Sequence, residues 1–243
     1  MSTARASEPV SRSWARIEAW LAAHAPESLR TLRPPVEPAG IAEAERAMSL
    51  EFPADLVELL RCHDGADEGA VRSPDCAVLP GAGLSPTHRI VRTWQRITRH
   101  ARATGVPGKR DGPGEEPLWH PSWIPWAGVA YQNGVIDMRP GPRCGQVVPA
   151  WGWKKAGEWP SLAAYFEAVA DALYAGGDVD DYHPYLAGRP SRLLWVVNPH
   201  PSVVADAGMN HRGGTPEYTE WLLSWHQRRD SAHQLRPIPT GLH

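Results

Sequence analysis

Apolar positions recur at helical spacing through much of this chain. Trp14, Ile17, Leu21 and His24 fall on one face, with Trp20 beside them, and predict a helix over 13–25. The Ser13 hydroxyl is placed to cap it, and Pro26 and then Pro34-Pro35 stop it. Ile41, Ala44 and Met48 predict a second helix starting near Ala39. Leu56, Leu59 and Leu60 predict a third over 54–63, ended by Asp64 and by a Gly65 suited to a left-handed backbone. A fourth is expected over 87–103. The pattern is strongest over 161–175, where Leu162, Tyr165, Phe166, Val169 and Leu173 repeat behind an N-cap Ser161, and Gly176-Gly177 closes the run.

Short β-rich runs predict strands at 77–79, 123–127, 134–137 and 146–148, with a Gly/Pro loop at 80–86 and a charged, glycine-rich loop at 105–117. After Gly177 the pattern changes. Asp178, Asp180 and Asp181 open a polar stretch, 193–197 reads as a buried strand, and Thr215-Pro216-Glu217 starts a helix over 216–228 with Tyr218, Trp221, Leu222 and Trp225 along one side. Residues 230–243 read as a loose tail. The expected division is therefore a domain over 10–177 and a C-terminal extension over 178–243.

Composition narrows the picture. The chain has 243 residues, enough to bury a core without disulfides or metals. Its 22 Gly and 25 Pro follow no period and call for irregular loops. Its 12 Trp against 2 Phe make indole the main aromatic bulk, and each buried indole N–H needs a partner. Arginine far outnumbers lysine, as in proteins from GC-rich bacterial genomes. The net charge of −2 argues against wholesale nucleic-acid binding. Three widely spaced cysteines fit a reducing, cytoplasmic setting. No secretory signal is read at the start, and no apolar run is long enough to span a bilayer.

Candidate chemistry is sparse. Ser85 lacks the glycine two residues on that a nucleophile elbow needs, and the eleven histidines show no paired metal-ligand spacing. His63 reads as a helix-end residue. Asp137 ends an apolar strand and reads as a turn cap ahead of Met138-Arg139-Pro140-Gly141. No catalytic residue, cofactor or metal is expected. Two single-sign surfaces stand out instead. From Glu43 to Glu68 there are eight acids and two arginines; Glu43, Glu45, Glu51, Asp55, Glu58 and Asp64 form a candidate acidic docking face for a basic partner. Opposite Ile90, Trp94, Ile97 and Ala101, the residues Arg89, Arg92, Arg96, Arg99 and Arg102 form a basic ridge, which reads first as a solvated helix face and second as a contact for a phosphate group or an acidic partner. The two stretches could also neutralise each other. Trp151 and Trp153, in a glycine-containing loop, are candidate exposed contacts for a protein partner.

The order of motifs is recognisable. Ile41 to Glu45 precedes Glu51-Phe52-Pro53-Ala54-Asp55-Leu56, Leu59-Leu60 and His63-Asp64-Gly65. Then come Val78-Leu79-Pro80, a helix with Trp94, the run Trp119 to Pro125, Val135-Ile136-Asp137, Gly145-Gln146-Val147 and a closing helix after Ser161. Over roughly residues 10–176 this resembles the SUKH superfamily, the Smi/Knr-like proteins. The resemblance implies an α+β fold, a mixed or antiparallel β-sheet flanked by helices. It implies no enzyme activity. Bacterial members look like immunity proteins that bind and neutralise nuclease or deaminase toxins, and fungal relatives act as regulatory scaffolds for cell-wall assembly. The matched positions Pro53, Gly65, Trp123, Pro125, Asp137 and Gly145 look fold-defining. The expectation is a cytoplasmic, non-enzymatic protein-binding module of the immunity type, with a cell-wall or housekeeping scaffold as the alternative. The sequence does not fix the oligomeric state.

Overall fold

A computed structural model describes residues 7–69, 78–104, 117, 119–129, 132–150, 159–180, 182–197 and 236–239. The fold is α+β. Six helices are described: α1 (Val10–His24), α2 (Pro26–Leu29), α3 (Pro38–Met48), α4 (Ala54–Cys62), α5 (Thr87–Thr104) and α6 (Leu162–Ala175). One sheet has the order β1 (Gly83–Leu84), β2 (Trp123–Val129), β3 (Gln132–Asp137), β4 (Val147–Ala150), antiparallel throughout. A second antiparallel sheet places β5 (Tyr182–Ala187) between β6 (Arg192–Val197) and β7 (Arg236–Pro237).

α6 follows its sequence pattern closely. Leu162, Tyr165, Phe166, Val169 and Leu173 are all buried, the Ser161 hydroxyl accepts from the Ala164 N–H, and Gly176 turns left-handed at φ 76°. α1 packs against it, burying Trp14, Ile17 and Leu21, with the Trp14 ring edge-on to Phe166. α1 begins three residues earlier than its pattern predicts. Val10 and Ser13 are both inside, and the Ser13 hydroxyl donates back to Glu8 at 2.7 Å, so Ser13 is a helical residue and not the cap. Arg16 clamps α1 to α6, reaching Glu8 at 2.8 Å and Asp171 at 2.6 Å, and lies over the Tyr174 ring.

Two loops depart from expectation, and Gly65 meets it. Val78-Leu79 is no strand; Leu79 makes an isolated bridge to Ala82, and the strand is Gly83–Leu84, inside the stretch read as a loop. Two residues suffice there because they pair with Gly128 and Ala127. His63 does more than end a helix. Its Nδ1 meets the Arg33 carbonyl at 2.6 Å and its Nε2 the Glu18 carboxylate at 2.9 Å, which joins α4, the 30s loop and α1. Gly65 is left-handed at φ 69°, and a Cβ there would land on the Ser85 and Pro86 backbone.

The core is continuous from α1 to the second sheet: Leu186, Leu193, Trp195 and Ile238 belong to the same apolar cluster as Trp14 and Phe166. The Leu193 N–H donates to the Ser28 hydroxyl at 2.8 Å, and the Trp195 indole donates to the Val78 carbonyl at 3.0 Å. Other indoles behave differently. Trp94 and Trp119 find acceptors, but the Nε1 atoms of Trp14, Trp20, Trp123, Trp126 and Trp159 have none among the described residues. Most of these rings are held by edge contacts with aromatic neighbours, as Trp126 is by Tyr165. No described helix is long and apolar enough to cross a membrane. The helix expected at 216–228 lies outside the described residues.

Candidate interaction surfaces

The acidic stretch lies on α3, α4 and the turn after them, and much of it is turned inward. Glu45 accepts the Phe52 N–H at 2.8 Å. Asp55 accepts the Ala163 N–H at 3.0 Å and so shares with Ser161 the capping of α6. Glu58 accepts from the Ser11 N–H at 3.2 Å and from its hydroxyl. Asp64 accepts from Thr87 and lies 3.6 Å from the Arg33 guanidinium. Asp55, Glu58 and Asp64 thereby offer first-turn helix N–H groups an acceptor that the local chain lacks, while Glu45 serves a loop N–H. Glu43, Glu51 and Asp67 are left exposed.

α5 is built differently. Ile90 and Ile97 are buried, and Trp94 is pinned by its indole to the Pro121 carbonyl at 2.8 Å. Trp119 and Trp123 close over Ile97 in a small second cluster, and the Trp119 indole donates to Thr98 at 3.0 Å. The basic side faces solvent. Arg92, Arg96, Arg99 and Arg102 are exposed, and Arg89 is half-buried. Arg92 meets Glu68 at 3.0 Å, and His88 meets the same carboxylate at 3.5 Å. That pair is solvent-exposed and therefore holds Arg92 only weakly, by about 0–1 kcal/mol. Arg96, Arg99 and Arg102 have no carboxylate in salt-bridge range among the described residues. The mutual neutralisation of the two stretches is thus confined to the Glu68 end, with Asp64 acting as a cap.

A third group closes the end of the first sheet. Asp137 is fully buried. It accepts the Arg139 N–H at 3.0 Å, as a turn cap does, and binds the guanidinium through Nε at 2.9 Å and Nη2 at 2.6 Å. This hydrogen bonding holds the guanidinium above the ordinary arginine range, against the opposing effect of burial. Arg139 also lies over the Trp123 ring at 5.4 Å. Burial, helped by the Arg139 charge, pushes neighbouring His120 down; its Nδ1 accepts the Ser122 N–H at 3.0 Å. The contacts of Asp137 and His120 given above join neighbouring segments of one sheet end and lock a turn.

Trp151 and Trp153 lie outside the described residues, as does Cys76. No cluster of three or more His, Cys, Asp or Glu side chains suited to a metal ion occurs among the described residues. Sequence spacing placed the arginine row correctly, but it carried no sign of the acceptor roles of Glu45, Asp55, Glu58 and Asp64. Their donors lie from 7 to 108 residues away.

The profile of the SMI1 / KNR4 family (SUKH-1) matches residues 35–171. The chain is similar to the cell wall biosynthesis/cell cycle regulator smi1 of Schizosaccharomyces pombe, 29% identical over 258 residues, which is 96% of this chain and 48% of that protein. It is also similar to the KNR4/SMI1 homolog of Eremothecium gossypii, 28% identical over 88 residues, 35% of this chain and 13% of that protein. The chain thus spans about half the length of the first relative and a smaller part of the second.

Proposed function

The chain belongs to the SMI1/KNR4 family (SUKH-1), and on that premise we propose that it is a non-enzymatic, cytoplasmic protein-binding module. One observation carries the reading. Asp137 is engaged with Arg139 and His63 with Glu18 in structural hydrogen bonds, while the solvent face of α5 presents arginines and no carboxylate of its own. Such surfaces speed encounter with a complementary protein and suppress wrong partners.

Two forms of that function remain in play. In the regulatory form the chain holds components of a cellular assembly together; the described regulator to which it is similar along 96% of its length supports this form. In the immunity form it masks the active site of a nuclease or deaminase toxin. A basic toxin would need an open acidic face, and inward-turned Glu45, Asp55, Glu58 and Asp64 leave Glu43, Glu51 and Asp67 to supply it. The regulatory form is therefore favoured.

The test is co-purification of the tagged full chain from its own cells at low and moderate salt, followed by mass spectrometry. A stoichiometric protein partner is expected. A partner carrying a toxin domain selects the immunity form, and an envelope or metabolic protein selects the regulatory form. Retention of nucleic acid alone overturns the protein-binding reading.

A further inference from the structure

We propose that the solvent face of α5 is a docking surface for an acidic polypeptide segment, recognised by a row of guanidinium groups. The proposal rests on the protein-binding reading above and adds the chemistry of the partner.

α5 carries five arginines and no acid in 18 residues. At 100° per residue, Arg92, Arg96 and Arg99 fall within about 60° of one another, and Arg102 lies about 60° beyond Arg99. The row runs about 15 Å along the helix axis at 1.5 Å per residue. Arginines three and four apart on one helix repel each other, so the row opposes helix formation unless a counter-charge covers it. Elsewhere on the molecule that counter-charge is internal: Arg16 has Glu8 and Asp171, Arg139 has Asp137, and Arg30 has Glu27. Arg96, Arg99 and Arg102 have none among the described residues.

The row is also held in place. Asp64 caps the first turn of α5, Ile90 and Ile97 anchor the opposite face, and the Trp94 and Trp119 indoles tie it to the segment leading into β2. The guanidinium groups therefore project from a fixed axis, which reduces the entropy lost on binding.

Three features favour carboxylates over a phosphate backbone. Carboxylates spaced three and four residues apart on a partner helix stand 5–6 Å apart, the same interval as the arginines, and each can take a guanidinium bidentately. The exposed residues interleaved with the arginines are Gln95, His100 and Ala103, and none is a Trp, Tyr or Phe, the large rings on which single-strand binders stack successive bases. The chain as a whole carries net negative charge, which repels a long polyanion more than a short acidic segment.

The experiment uses the full chain and a fluorescein-labelled ten-residue polyglutamate peptide, read by anisotropy, with labelled oligo-dT of equal length in parallel. Peptide binding that weakens with salt is expected, with about a tenfold loss in the double reversal Arg96→Glu/Arg99→Glu. Arg61→Glu, a reversal at an exposed arginine on α4, is the charge-matched control and should change affinity little. Circular dichroism confirms that each variant is folded. Absence of peptide binding, an equal loss in Arg61→Glu, or tighter binding of oligo-dT than of the peptide overturns the proposal. A chain that keeps its cellular partner through the Arg96→Glu/Arg99→Glu change refutes this surface and leaves the protein-binding reading standing.

Discussion

The Asp64 carboxylate accepts both the backbone N–H of Thr87, at 2.7 Å, and its hydroxyl, at 2.6 Å. A residue of the acidic stretch thus closes the N-terminus of the basic helix, in a role usually filled by the residue next to that helix. Asp64→Ala should cost about 1–2 kcal/mol in urea unfolding, whereas Asp64→Asn should retain most of the cap. Hydrogen exchange should quicken first at Thr87 and its neighbours. Equal loss in both variants would show that the Arg33 ion pair, and not the cap, is what Asp64 supplies.

Glu8 gives the fold an acid-sensitive joint. Burial pushes its carboxyl up, but the Ser13 hydroxyl and the Arg16 guanidinium outweigh burial and hold it below the ordinary glutamate range. A carboxylate depressed on folding adds stability above its unfolded pKa, and that stability is lost as pH falls through the folded value. Glu8→Gln should therefore be less stable than the parent at pH 7, and the gap should close as pH drops below the ordinary glutamate range. Urea midpoints measured from pH 7 to pH 3 test this; a gap that is constant with pH refutes it.

Arg139→Met strands the fully buried Asp137 carboxylate without its guanidinium. Breaking a buried pair in this way costs about 3–5 kcal/mol. Arg139→Lys restores the charge but cannot reproduce the two-nitrogen contact, so an intermediate loss is expected. Trp123 fluorescence should change in both variants, because Arg139 lies on its ring.

Cys62 should be chemically quiet. Burial first, and then the nearby Glu18 and Glu58 charges, push its thiol up to about 11. Cys144 is exposed. Iodoacetamide at pH 8 should label Cys144 about tenfold faster than Cys62, since the thiolate is the reacting form. Comparable labelling of the two sites in the native protein, read by peptide mapping, would contradict the burial of Cys62.

What the sequence made legible was local. α6 could be read because its apolar positions, its Ser161 cap and its Gly176 stop all agree over 16 residues. α5 could be read from its apolar period alone, and its arginines fell where that period put them. The start of α1 was misread because a serine before an apolar run looks like a cap; only the position of Glu8 shows that Ser13 is inside the helix. β1 was missed because Gly83 and Leu84 carry no strand signal of their own and become a strand by pairing with Gly128 and Ala127. The acidic stretch was the hardest part. Whether Asp55 faces a partner or caps α6 depends on a backbone N–H 108 residues further along.

The Ser28–Leu193 contact bears on the order in which the chain can mature. Its two ends are 165 residues apart, and the Glu27 N–H donates to the Ser191 carbonyl beside it. During synthesis α2 is made early and waits, with its inner side uncovered, until β6 has been translated. High sequence separation of this kind slows folding and lengthens the time that apolar surface stays open. The inner side of α2 is therefore open for as long as β6 takes to be made.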